Sequence, residues 1–242
     1  MCFAKRRGSI TGRMKKCMNK VVDRRGGYEV EEAKFFDTFF LMGLPEREKV
    51  LEWIELADPQ TPAQEAFIYR VDAALGAIDY DYYIATMEPS LKNGVISYEK
   101  GAKVATGLSG RQWVNKAAEY FVSSSWKSSL ATLEEGDLFK AYRVAIGYWS
   151  LEYICDDSSE DGNYWNRTRK NNDMLPTGEM EVGGFCDGVG NSFEIYRHKG
   201  GIALVGGFYL SFGNMDPVTH VLRFYPDAPS QHGRGVLVIK NN

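Results

Sequence analysis

A cysteine and a histidine in the last third of the chain are the side chains best suited to covalent chemistry. Cys186 is followed by His220, and a further polar residue, Gln231 or His232, comes after both. A thiol becomes a nucleophile when a nearby imidazole accepts its proton, and that imidazole needs a partner to orient it. Cys186 and His220 are therefore the candidate catalytic pair of a cysteine hydrolase.

The order of these two residues is superficially similar to that of papain-like peptidases and amidases, and the resemblance implies hydrolysis of an amide bond. In those enzymes the cysteine begins a helix, whereas Cys186 lies in a Val-Gly-Gly-Phe-Cys sequence on a predicted strand before a turn. The other interpretation is that the Cys186 thiol only packs against neighbouring side chains. Hydrolase activity is thus an alternative function and not the preferred one.

The acidic stretch 156–166 matches the opening of a calcium-binding loop. Asp157, Ser159 and Asp161 alternate, and Gly162 supplies the sharp turn such a loop requires. The closing position, where a glutamate would complete the coordination, is Thr168. A solvated acidic turn is therefore the preferred interpretation, and we predict neither a bound metal nor another cofactor.

The same stretch contains aromatic rings next to amides, which is a pattern suited to ligand binding. Rings stack on a sugar or a peptide, while polar groups fix its orientation. Two further asparagines stand at predicted hairpin turns of the glycine-rich region. The candidate ligand-binding residues are Asn163, Tyr164, Trp165, Asn166, Asn191 and Asn214.

The first 25 residues form a basic arm with nine basic side chains and one acidic side chain, Asp23. The remaining residues hold 20 basic and 31 acidic side chains, so the arm and the body have opposite charge. Such an arm can bind nucleic acid or an acidic partner, or it can be a solvated terminus. Its candidate contact residues are Arg6, Arg7, Arg13, Lys15 and Lys16.

The cysteines and the apolar runs predict the compartment. The four cysteines form no Cys-x-x-Cys pair, which favours free thiols in a reducing compartment. No secretory signal follows the basic arm, and no apolar run reaches the roughly 18 residues needed to span a membrane. We therefore expect a soluble, cytoplasmic protein without a membrane span.

Residues 28–155 show mainly helical spacing. Apolar side chains recur at helical intervals in five segments: 29–42, 46–57, 62–78, 111–122 and 136–154. Thr61 followed by Pro62 is typical of a capped helix start. Residues 80–84 fit either a helix or a strand, and Lys92-Asn93-Gly94-Val95 indicates a hairpin.

Residues 156–242 are rich in glycine and show short apolar runs separated by turns. Strands are predicted at 192–197, 202–205, 208–212, 218–225 and 236–240. The pattern Val-Gly-Gly-Phe, followed four residues later by Gly-Asn, occurs from Val182 and again from Val205. This repeat predicts a duplicated hairpin in an antiparallel sheet.

Together these patterns predict an α+β protein with a basic arm (1–27), a helical region (28–155) and an antiparallel β region (156–242). The preferred function is a non-catalytic recognition or assembly subunit, which binds a protein or a glycan through loops of the β region. A homo-oligomer is compatible with this function. The alternatives are the cysteine hydrolase and nucleic-acid binding through residues 1–25.

Overall fold

The computed structural model describes residues 38–151, 176, 181–182, 185–186, 192–206, 221–224, 227 and 229–241. Helices and mainly antiparallel strands alternate along these ranges, so the predicted α+β class is confirmed. In this part of the chain no helix is long and apolar enough to cross a membrane.

The helices begin at capping residues that the sequence supplies. They are α1 (Leu44–Leu56), α2 (Pro62–Ala77), α3 (Gly110–Tyr120) and α4 (Leu133–Ala145). The hydroxyl of Thr61 accepts a hydrogen bond from the Gln64 amide, as the Thr-Pro pattern predicts. Ser109 and Thr132 form capping boxes, in which each cap and the Glu or Gln three residues later bond reciprocally.

Helix α4 lies earlier in the chain than its predicted range of 136–154. The capping box of Thr132 moves its start upstream, because the Glu135 side chain bonds back to the Thr132 amide at 2.7 Å. Its end is earlier as well, since Gly147 adopts a φ of +76°, outside the right-handed helical region.

The first sheet has the order β1-β2-β12-β5, with every neighbouring pair antiparallel. Its strands are β1 (Phe39–Met42), β2 (Tyr82–Ala85), β5 (Trp126–Leu130) and β12 (Leu237–Asn241). The helix predicted over 29–42 is wrong for residues 39–42, because β1 pairs along its full length with β2 and buries Phe39 and Met42. Long-range pairing overrides the local helical spacing here.

Strands from both predicted regions meet in this sheet. The C-terminal strand β12 lies between β2 and β5, which belong to residues 28–155. The description of 28–155 as helical is therefore incomplete, since five short strands also lie there. The division of the chain near residues 27 and 155 stays a prediction.

The second sheet has the order β10-β9-β8-β11 and comes entirely from the C-terminal region. It contains β8 (Phe193–His198), β9 (Gly201–Val205), β10 (Val221–Phe224) and β11 (Gly233–Gly235). The first three strands are antiparallel, as predicted, but β11 runs parallel to β8. The three residues Gly-Arg-Gly of β11 lack the alternation of apolar and polar side chains that predicts a strand, so the sequence pattern does not reveal β11.

Two small hairpins complete the described strands. β3 (Ser90–Lys92) pairs with β4 (Val95–Ser97), and Asn93 and Gly94 both have positive φ between them. This confirms the hairpin predicted at Lys92–Val95. β6 (Glu181–Val182) pairs with β7 (Phe185–Cys186), so the first Val-Gly-Gly-Phe copy connects two paired strands.

The first sheet separates two apolar clusters because side chains alternate along its strands. Tyr82, Ile84 and Val238 belong to the cluster shared with α1, α2 and α4. Tyr83, Leu237 and Ile239 belong to the cluster that contains Trp113 of α3 and Ile195 of β8. The sheet is thus covered on both faces, and the second sheet packs beside α3.

We predict that Gly136→Ala destabilises the protein while Gly76→Ala does not. A Cβ on Gly136 of α4 would lie 2.9 Å from the hydroxyl oxygen of Tyr196 and closer still to its ring carbons. The Tyr196 ring is buried and its hydroxyl is bonded to Glu194, so α4 itself must shift, at a cost of about 1–3 kcal/mol.

Gly76 of α2 provides the matched control, because a Cβ there meets no atom within 4 Å. Alanine at that helical position should stabilise the protein by about 0.5–1 kcal/mol. Urea unfolding of the two variants measures both effects. Similar midpoint shifts for the two substitutions would show that α4 does not pack tightly on Tyr196.

Candidate functional site

Most of the residues singled out from the sequence lie outside the described residues. These are the arm residues, the calcium-loop positions Asp157, Ser159 and Asp161, the ligand-binding set at 163–166, 191 and 214, and His220. Cys186 is described and lies on β7, opposite Glu181. His232 lies just before β11, where burial lowers the pKa of its imidazole. The hydrolase, calcium and arm hypotheses therefore stay predictions.

The described chain places no three His, Cys, Asp or Glu side chains close enough together to hold a metal ion. What it does contain is a set of buried charges on α4. Glu135, Asp137, Lys140 and Arg143 are each no more than 3% exposed. Charged side chains are rarely buried unless they are paired, so their partners decide what this set can do.

Glu135 bonds α4 to the first sheet. Its Oε1 accepts hydrogen bonds from the Tyr80 hydroxyl and from the Lys240 ammonium, both at 2.8 Å. Its backbone carbonyl accepts from the Tyr82 hydroxyl at 2.7 Å. Burial and the Glu135 carboxylate raise the pKa of both tyrosines, so both hydroxyls stay protonated as donors.

Glu194 on β8 bonds α4 to the second sheet. Its carboxylate lies 2.5 Å from Lys140 Nζ and 3.3 Å from Arg234 Nη2, and it accepts from the Tyr196 hydroxyl at 2.9 Å. Arg234 Nε lies 2.9 Å from Glu88, which is fully buried. Burial alone would raise the pKa of Glu194, but Lys140 and Arg234 hold it below its usual value of 4.5.

A third pair bonds α4 to α2, where Arg70 Nε lies 2.8 Å from Asp137. The Arg143 guanidinium lies over the rings of Phe139 and Trp149, with 4.1 and 4.6 Å to their centroids. The carboxylates of Glu135, Asp137 and Glu194 are thus each bonded to a cation. The hydroxyls of Tyr80, Tyr82 and Tyr196 donate to fixed acceptors, and together these bonds hold α4 against both sheets and α2.

An open cleft of about 500 Å³ lies beside this interior, between the β8–β9 hairpin and the starts of α3 and α4. Among the described residues, its lining includes four basic side chains and one carboxylate. The lining residues are Arg111, Val114, Thr132, Glu134, Arg197, His198, Lys199, Gly200, Gly201 and Ile202.

The hairpin wall of the cleft is fixed by its turn and by its contacts with the residues before α4. Lys199 and Gly200 have φ of +46° and +75°, which allows a two-residue connection between β8 and β9. The Arg197 amide donates to the Ala131 carbonyl, and its Nε donates to the Leu130 carbonyl, both at 2.8 Å. The Arg197 guanidinium therefore has a defined position at the cleft.

The other charges of the cleft are more exposed. Arg111 Nε lies 2.9 Å from Asp227, and both side chains are more than two-thirds exposed. His198 Nδ1 is buried and has no hydrogen-bond partner among the described residues, and it lies 3.8 Å from a carboxylate oxygen of Glu134. The sequence contained a signal for this site, since Arg197-His198-Lys199 is a basic run at a hairpin turn of an otherwise acidic region.

Fold and cleft together define an α+β protein with a basic surface site beside a charge-paired interior. No family model matches the chain, and no curated protein matches it. Among solved structures it is similar to Treponema denticola variable protein 1, with 13% sequence identity and a TM-score of 0.44 over 66% of this chain and 84% of that chain. At this level the likeness assigns neither a fold family nor a function.

We predict that Glu194→Gln lowers the free energy of unfolding at pH 7 by about 3–5 kcal/mol, because Lys140 and Arg234 lose their shared carboxylate in a buried site. The folded-state pKa of Glu194 is depressed, so its stabilising contribution is present well above pH 4.5 and is lost as the pH falls through the folded-state value. The difference between wild type and variant should therefore shrink in acid.

Denaturant unfolding at several pH values measures this effect. Glu99→Gln is the control, since the Glu99 carboxylate pairs with Lys92 at the surface, where both side chains are at least 60% exposed, and its loss should cost less than about 1 kcal/mol. If Glu194→Gln does not fold, the double variant with Lys140→Met removes the stranded ammonium and should recover stability. A pH-independent difference between wild type and Glu194→Gln would contradict the role of the ionised carboxylate.

Proposed function

We propose that this protein is a non-catalytic recognition or assembly subunit that binds a protein partner through loops of its C-terminal β region. The contact surface includes the β8–β9 hairpin and the adjoining cleft, in addition to the loops named from the sequence. The four cysteines without a disulfide framework favour a cytoplasmic location for this role.

The observation that carries the proposal is the cleft itself. It is a concavity within the volume range of ligand sites, and one wall is a hairpin held by two hydrogen bonds to the residues before α4. A wall in a defined position reduces the entropy lost when a partner binds. Loops on a rigid framework are also where binding residues are commonly found.

The lining favours a protein over a glycan as the partner. Sugar rings stack on aromatic planes, but no Phe, Tyr or Trp is found among the described residues that line the cleft. Its charged groups and hydrogen-bond donors suit the carboxylates and carbonyls of a polypeptide. Glycan binding would instead require the Tyr164–Trp165 loop.

We predict that peptides selected from a random display library on the full chain will bind beside the hairpin. A photoreactive phenylalanine analogue at Gly201 tests this, because a Cβ there meets only the His198 carbonyl oxygen, at 3.6 Å. Irradiation should link the selected peptides to position 201. The same analogue at Tyr69 of α2, which is 76% exposed, is the control and should give little product.

Mass spectrometry of the linked products identifies the position and the partner. A cross-linked pair of this chain through position 201 would identify a second copy as the partner and support an assembly role. The proposal fails if no peptide is enriched, or if enriched peptides react equally at positions 69 and 201.

A further inference from the structure

Resting on the proposed function, we infer that the cleft binds a short acidic peptide segment that carries an apolar side chain between its carboxylates. Two features of the lining support this ligand class. Three basic side chains, Arg111, Arg197 and Lys199, line the cleft, and Val114 and Ile202 supply an apolar patch in the same lining.

The charge of the cleft is opposite to that of the body around it. Beyond the arm, acidic side chains outnumber basic ones by 31 to 20, yet among the described residues only Glu134 contributes a carboxylate to the cleft lining. A long polyanion such as nucleic acid would also be repelled by the net negative charge of the residues beyond the arm. A short acidic segment avoids this repulsion because its charges end within the basic area.

The two arginines are placed to donate hydrogen bonds to carboxylates. The Arg197 Nε donates to the Leu130 carbonyl, and among the described residues its terminal nitrogens have no hydrogen-bond acceptor. Arg111 already bonds a carboxylate of this chain, Asp227, in a pair where the side chains are 69% and 68% exposed. Exposed pairs of this kind are weak, so a ligand carboxylate can replace Asp227 at little cost.

Val114 and Ile202 define the middle of the ligand. Val114 is half-buried and Ile202 is 8% exposed, so an apolar ligand side chain in contact with them would remove their remaining apolar surface from water. His198 also lines the cleft. A volume of about 500 Å³ suits a few residues and not a folded domain.

The test uses the full chain and a fluorescein-labelled peptide with the core Asp-Glu-Leu-Asp-Glu between Gly-Ser ends. Fluorescence anisotropy should show saturable binding that weakens as salt is added, since salt screens exposed charges. Two control peptides are used. In the first, all acidic residues are replaced by Asn and Gln, and in the second, the leucine is replaced by glycine. Each should bind at least about tenfold more weakly than the acidic apolar peptide.

Variants of the protein locate this binding. Arg111→Ser combined with Lys199→Gly removes two exposed cations, and glycine retains the positive φ of residue 199. This double variant should keep the wild-type melting temperature and bind the acidic peptide about tenfold more weakly. Lys103→Ser and Lys127→Ser remove exposed cations outside the cleft lining and should leave the affinity unchanged.

Several results would overturn the inference. Equal affinity for the acidic and the amide peptide, or no effect of the double variant, would show that the carboxylates are not recognised in this cleft. Complete competition by millimolar inorganic phosphate would mean that the site takes any small anion. If selected peptides of neutral composition still cross-link at position 201, the recognition function holds and only the acidic ligand class is wrong. If no peptide cross-links there, the recognition surface itself is wrong.

Discussion

A single helix, α4, carries the buried charges on which the described fold depends. Glu135 binds it to the first sheet, Lys140 to Glu194 of the second sheet, and Asp137 to Arg70 of α2. Removing each charge from water costs several kcal/mol, so α4 is stable in its position only when all of these partners are in place. These pairs therefore fix the position of α4 along its own axis as well as its distance from the sheets. Apolar packing alone would define that position less strictly.

The basic cleft follows from this constraint. The residues that bind the β8–β9 hairpin, Leu130 and Ala131, come immediately before the Thr132 cap of α4. The tight packing of Gly136 on Tyr196 brings the same helix against β8. Because the β8–β9 hairpin and α4 are linked at both places, the distance between the hairpin and Glu134 at the start of α4 is fixed. The cleft thus takes its geometry from the charge-paired interior around α4.

Local signals in the sequence predicted the helices better than the sheets. The apolar stripe of α1 and the Thr61–Pro62 cap of α2 depend on neighbours a few residues away, and both predictions are confirmed. β1 depends on β2, more than 40 residues later, and its own spacing looks helical. β12 was predicted as a strand at 236–240, but its partners lie over 100 residues earlier and local periodicity does not reveal them. The cleft was missed for the same reason, since Arg111 and Arg197 are distant in sequence, although the run Arg197-His198-Lys199 was visible.

The balance of the buried charges explains why the cleft can act as a local site on an acidic body. In the described interior, the carboxylates of Glu88, Glu135, Asp137 and Glu194 face the cations of Arg70, Lys140, Arg234 and Lys240. The buried Arg143 lies instead over the rings of Phe139 and Trp149. Opposite charges that are paired cancel at a distance, so these pairs add little field at the surface. The potential in the cleft is then set mainly by its own side chains, and among the described lining residues the cations outnumber the carboxylate of Glu134. Within about 10 Å, the screening length at moderate salt, an approaching ligand responds to those cations more than to the net charge of the body.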